Sequence, residues 1–228
     1  MRCLLCLSLV VLPQIAGAQT GGAVVPQPAI SEYVAAFPRV EGQDSAAQAI
    51  NARLQELDDG VAGMSDCDLN RKVRVALDSP AYLSIYGSEG GYCEGAAHPF
   101  FVEYGLTFDR ETGAEVDWGK ILPEALLETK SEDYDPNYPF ASAALNAVYL
   151  AALDPELATG ECQEVYAMGL SFEFWMEAGQ GVAMFPASLP HAVLACSEVV
   201  VLPLATLKSA GMDAKVLAAI ETGRGEAP

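Results

Sequence analysis

Residues 82–118, YLSIYGSEGGYCEGAAHPFFVEYGLTFDRETGAEVDW, constrain the fold of this chain more than any other stretch. Tyr82, Ser84 and Tyr86 alternate with Leu83 and Ile85, the two-residue period of a strand with one face buried. The run 99–108 is dense in aromatic and β-branched residues and reads as a second strand. Between them Tyr92, Gly95, Ala97, His98 and Pro99 mark a compact turn, in which Pro99 disfavours helical backbone at His98. Asp109 to Gly113 then reverses the chain into a further expected strand, 114–118, with Gly113 free to take positive φ.

More strands are expected at 73–77, 81–86, 170–177, 182–185 and 199–202. Helical spacing places Ala46, Ala47, Ile50, Leu54 and Leu57 on one face of a helix over 45–57, capped by Asp44 or Ser45. A second helix is expected over 139–153, with Leu145, Val148, Tyr149 and Ala152 on one side, and a third over 213–222. Strands interleaved irregularly with helices argue for an α+β fold, a mostly antiparallel sheet packed with about three helices. One domain over 32–222 accommodates all of these elements, between loose ends at 19–31 and 223–228.

The motif order resembles the extracytoplasmic domain of RsiV-type anti-sigma factors, a domain of unknown function that also occurs in the peptidoglycan deacetylase PdaC. In that family a Tyr-Leu-Ser-Ile-like strand leads to a Tyr-x-Gly-Gly-Ala-His-Pro turn and then to a strand ending in Asp-x-x-Thr-Gly. Tyr82 to Ile85, Gly95, Ala97, His98, Pro99, Asp109, Thr112 and Gly113 fill those places. Phe37-Pro38, Gly42 and Ile50-Asn51 resemble the family's entry strand and first helix, while the 169–174 and 199–207 segments resemble its closing strands and the turn into a final helix. Two departures stand out: Tyr92 comes one residue early, and Ala96 replaces the second Gly. The resemblance covers about residues 32–208 and implies a cell-envelope domain; RsiV-type domains bind lysozyme, so it also suggests a basic partner of that kind.

Residues 1–18 have the parts of a cleavable secretory signal: Arg2, an apolar run over 4–15, and Ala16-Gly17-Ala18 before Gln19. The apolar run is too short for a membrane span and is interrupted by Pro13, and no later segment reads as one. A periplasmic or secreted location is the expectation. Cys3 and Cys6 leave with the signal, so Cys67, Cys93, Cys162 and Cys196 form an even set in an oxidising compartment. Three pairings are possible. Cys67 with Cys93 and Cys162 with Cys196 is favoured, because each pair flanks neighbouring strands and closes a local loop; the rival, a thiolate zinc or redox site, has no Cys-x-x-Cys after residue 18 to support it.

The formal charge is −19, and it becomes −20 when Arg2 is removed. Without clustered Lys or Arg there is nothing to neutralise phosphates, so nucleic acid is excluded as a partner. An acidic surface serves solubility or steers basic partners. His98 is one of only two histidines and could act as acid, base or ligand if Glu94, Glu103 or Asp109 converged on it; its bland reading is a turn residue bonded to a neighbouring carbonyl. His191 could complete a metal site only if folding brought it to His98. Asp133, Asp135 and Asn137 have calcium-loop alternation, but Tyr138 and Ala144 stand where that loop needs Gly and a bidentate Glu. Gly90-Gly91 and Gly179-Gln180-Gly181 read as turns, Phe172 and Phe174 as core, and Trp175 as an exposed contact residue.

No metal or cofactor is implied by these patterns. The leading expectation is a non-catalytic envelope module that binds a basic, lysozyme-like protein or peptidoglycan. The alternative is a peptidoglycan-directed hydrolase or deacetylase using His98, although PdaC's deacetylase chemistry lies in a separate domain that these residues do not resemble. A third is a structural protein that assembles with itself.

Overall fold

The computed structural model describes residues 21–127, 140, 142–157, 159–167, 169–187 and 189–227. The secretory-signal segment, the acidic loop with Asp133, Asp135 and Asn137, and the helix start expected at Pro139 lie outside them. The fold is α+β, and its strands pair antiparallel.

A short ribbon of β1 (Val24–Val25) and β2 (Arg39–Val40) precedes α1 (Ser45–Ala62). The carboxylate of Asp44 caps α1 by accepting from Ala47 N–H at 2.9 Å, and Ala46, Ala47, Ile50, Leu54 and Asp58 make its buried face. Strands β3 (Cys67–Asp78), β4 (Tyr82–Cys93) and β5 (Phe100–Asp109) form the first sheet in that order. One face puts Leu83, Ile85 and Phe108 against Phe37, Ile50 and Leu54.

Next come α2 (Trp118–Ile121), a 3-10 turn at Glu124–Leu126, α3 (Ala143–Ala152) and α4 (Glu161–Ala167). The second sheet is β6 (Phe172–Glu177), β7 (Gly181–Pro186) and β8 (Val200–Pro203), with a 3-10 segment at His191–Cys196 before β8. Helices α5 (Leu204–Ala210) and α6 (Ala214–Thr222) follow. Leu145, Tyr149, Phe172, Phe174, Leu202 and Ile220 belong to the largest core cluster.

The two sheets meet closely. Met176 N–H donates to Ser84 Oγ at 2.9 Å, and Ser84 Oγ lies 2.8 Å from Thr107 Oγ1. A Cβ at Gly105 would sit 2.3 Å from the Phe174 carbonyl oxygen, so only glycine allows the backbones of β5 and β6 to approach this far.

Several elements differ from expectation. The strand expected over 114–118 is a single bridge, Phe108 to Glu115, because Asp117 caps α2 by accepting from Gly119 N–H at 3.0 Å and turns Trp118 onto Phe174. Helix α3 starts at Ala143, where Ser142 Oγ accepts from Leu145 N–H at 2.9 Å. Gly90 and Gly91 lie inside β4, paired with Phe101 and Phe100, where absent side chains make room for Phe101, Leu69 and the Asp68 carbonyl. Trp175 is fully buried rather than a contact residue, because the first sheet covers its face of β6: it packs on Tyr86 at 5.1 Å and donates to Glu177. Phe172 and Phe174 are core.

The structure pairs Cys67 with Cys93 and Cys162 with Cys196. Residues 224–226, at the polar end of the chain, make main-chain hydrogen bonds to β3. Among the described residues no helix is long and apolar enough to cross a membrane.

Candidate functional site

The His98 turn closes the far end of the β4–β5 hairpin. Cys67 and Cys93 stand directly opposite each other in the β3–β4 register, so their disulfide ties the strands where the ladder ends. Beyond it Glu94 N–H donates to the Asp66 carbonyl at 2.9 Å and Ala96 N–H to the Cys93 carbonyl at 3.0 Å. Gly95 takes the positive φ of the turn, +84°, while Ala96 does not, so the Gly→Ala departure in the motif creates no backbone strain here. Tyr92 OH donates to the Ala96 carbonyl at 3.0 Å and fastens the loop from one side.

His98 is exposed, as are Ala97 and Pro99. Its Nδ1 lies 3.0 Å from the Pro99 carbonyl oxygen. A carbonyl only accepts, so Nδ1 is the donor in this contact. The ring stacks on His191, with centroids 4.8 Å apart and planes 2° from parallel. The fold therefore joins the two histidines across 93 positions of sequence. Among the described residues no group of three His, Cys, Asp or Glu could hold a metal.

Of the carboxylates considered as partners for His98, Glu94 stays in the same turn, while Asp109 and Glu103 sit along β5. Asp109 is at the opposite end of β5, about 30 Å along the strand. Burial raises its pKa, but the N–H groups of Thr112 and Glu111, with Lys215 nearby, more than offset this and leave it below the usual carboxylate range. Burial pushes the Glu103 carboxyl up, against a hydrogen bond from Tyr86 and the charge of Arg74. One of its oxygens is buried without a partner. The Tyr86 phenol is pushed up to about 12, chiefly by burial and by Glu103. Arg74 lies 4.7 Å over the Tyr86 ring and forks onto both oxygens of Glu177, which also accepts from Trp175.

Sequence reasoning missed what surrounds the turn. Tyr92, Phe101 and Val102 are 46%, 41% and 44% exposed, with Met64 beside the start of β3 at 40%. Phe101 pairs with Gly90, next but one to Tyr92 on the same sheet face, so the two aromatics are diagonal neighbours. Asp66, Asp68 and Glu94 lie on the adjoining segments with no salt-bridge partner among the described residues. The available signal was the unbroken Phe100-Phe101-Val102: in a strand, three apolar residues in a row must show both faces.

No protein-family model matches the chain, and no curated protein does. Among solved structures it is similar to a member of the DUF3298 family from Bacteroides fragilis, with TM-score 0.45 and 12% identity over 78% of this chain and 68% of the other.

Proposed function

We propose that this chain is an exported, non-catalytic binding module of the cell envelope, and that the hairpin end is its contact surface. The observation that carries this reading is the exposed Tyr92, Phe101 and Val102 beside Asp66, Asp68 and Glu94, which have no salt-bridge partner among the described residues. Exposed aromatic residues on strands tied by a disulfide supply contact area at low entropic cost. The acidic rim, with a net charge of −19, favours a basic partner, such as a protein of the lysozyme kind, over a neutral cell-wall component.

The rival reading, a peptidoglycan hydrolase or deacetylase centred on His98, has less support. One nitrogen of His98 is engaged by Pro99, its ring face by His191, and Asp109 is remote. Calorimetric titration of residues 19–228 with lysozyme, at about 20 mM and 500 mM salt, tests the leading form. Binding is expected at low salt, weakening at high salt, and Phe101→Ser is expected to lower affinity at least tenfold with unchanged thermal stability. Absence of heat at low salt removes the lysozyme reading. Muropeptide turnover that disappears in His98→Ala would replace it with the enzymatic one.

A further inference from the structure

A second place on the molecule has the features of a ligand site. A cleft of about 450 Å³ lies along the open edge of β3, between the N-terminal segment and residues 224–226. Both neighbours already pair with this edge. Arg71 donates its N–H to the Tyr33 carbonyl at 2.9 Å and accepts from Ala35 N–H at 3.0 Å. Val75 accepts from Glu226 N–H at 2.8 Å and donates to the Glu226 carboxylate at 3.1 Å.

Val73 lies midway between those two residues. Outward-facing main-chain groups recur every second residue of a strand, so the N–H and C=O of Val73 face the cleft that it lines. No described residue takes them. The N-terminal segment leaves the edge just before this position, because Phe37 N–H is held by Asp58 Oδ1 at 3.2 Å. An unmet donor and acceptor of an edge strand remain between two paired segments.

The walls include Pro26, Ala29, Ala36 and Pro38, a short apolar lining suited to apolar side chains. Among the charged lining residues, Arg74 is held by Glu177, Asp78 by Arg110, and Glu226 by Val75 N–H. Arg224 has no salt-bridge partner among the described residues, and its side chain remains available for an anion. From Arg71 to Val75 the edge is about 14 Å long, the reach of three or four extended residues.

We propose that this cleft binds the carboxyl-terminal end of a short peptide with apolar side chains. The peptide pairs with Val73 as an added strand and places its carboxylate at Arg224. The site is separate from the hairpin end, and its test is independent of that reading.

The test is titration of the isotope-labelled chain with L-trialanine, followed by backbone amide NMR, with its C-terminal amide and all-D trialanine as controls. L-trialanine is expected to shift the Val73 and Gly225 amides saturably, with Kd on the order of 0.1–1 mM. The C-terminal amide is expected to bind about threefold more weakly, and Arg224→Gln to bring the free acid to the same level while leaving the amide peptide unchanged. Ala36→Trp, or the milder Ala29→Leu at an exposed position of the same wall, is expected to block binding without changing the amide spectrum elsewhere. Absence of saturable shifts up to 10 mM would overturn the proposal, as would equal binding of the all-D peptide or undiminished binding in both wall variants.

Discussion

The two halves of the first sheet are made by the same three strands yet differ in almost every physical respect. In the inner half Leu83, Ile85 and Phe108 are fully buried under α1 and the N-terminal segment, and the second sheet covers the other face. In the outer half Tyr92, Phe101 and Val102 are more than two-fifths exposed. The difference lies in the cover. Tyr92 and Phe101 lie on the face toward the second sheet, whose contacts are with Ser84, Tyr86 and Gly105 further in. Val102, opposite Glu89, lies on the face of α1, whose 18 residues cover about 27 Å of strands that extend about 40 Å. Burial and stability concentrate where cover exists; apolar surface remains for a partner where it does not.

The boundary is marked by Arg71. Its guanidinium is paired with Asp58 of α1 and lies 4.5 Å over the Phe37 ring, while Asp58 also accepts from Arg39 at 2.8 Å and from Phe37 N–H. Removing the carboxylate leaves two guanidinium groups and a backbone N–H with one acceptor lost among them, so Asp58→Ala is expected to cost about 3–5 kcal/mol in urea unfolding. This is the largest single effect expected. A loss below 1 kcal/mol would mean that the boundary is held by apolar packing alone.

The Cys67–Cys93 bond lies on the outer side of that boundary. Its loop of 26 residues gives about 3.5 kcal/mol by restriction of the unfolded chain, so the Cys67→Ser, Cys93→Ser double variant should lose about that much. Hydrogen exchange should accelerate most at residues 88–92 and least at 83–85. Uniform acceleration along β4 would show that the halves unfold together.

Point substitutions at matched apolar sites put the comparison most directly. Ile85→Ala, fully buried on β4, is expected to cost about 2–4 kcal/mol through lost burial and a residual cavity. Phe101→Ser, with its ring half in water, is expected to stay within about 0.5 kcal/mol of wild type while weakening partner binding. Equal losses would erase the distinction between the halves.

The inner half was legible because its alternation is regular: Leu83 and Ile85 against Ser84 and Tyr86 specify a strand with one apolar face. The Cys67–Cys93 pairing follows from the strands it joins, whereas Cys162 and Cys196 pair as expected but from α4 and the 3-10 segment rather than from neighbouring strands. The outer half was obscured by Gly90-Gly91, whose composition suggests a turn; only tertiary context, with Phe101 and Phe100 lying across them, keeps them in the ladder. Trp175 was misread for the related reason that alternation predicts one wet face, and β6 has a sheet on one side and helices on the other. Asp117 and Ser142 end or start elements by capping, a contest between side chain and backbone that apolar periodicity does not record. The stacking of His98 on His191 depends on long-range folding and has no local signature.

Glu103 gives a far smaller effect than Ile85 and the finest test, because it lies on β5 where cover gives way to exposure. Burial raises its folded-state pKa, and one carboxylate oxygen is buried without a partner. In the window above the ordinary carboxylate value the native state therefore binds more protons than the unfolded chain, so stability falls as pH rises through it. Glu103→Gln removes the charge while keeping an acceptor for Tyr86, and is expected to flatten that slope and raise stability at pH 7 by less than about 1 kcal/mol after solvent screening. Glu89 is raised by burial too, countered by Arg71, so part of the slope should survive in the variant. Paired urea titrations at pH 5 and pH 7 read the difference. A variant less stable than wild type at pH 7 would mean that the charge of Glu103 toward Arg74 outweighs its burial, and would move the working edge of the covered half outward to residue 103.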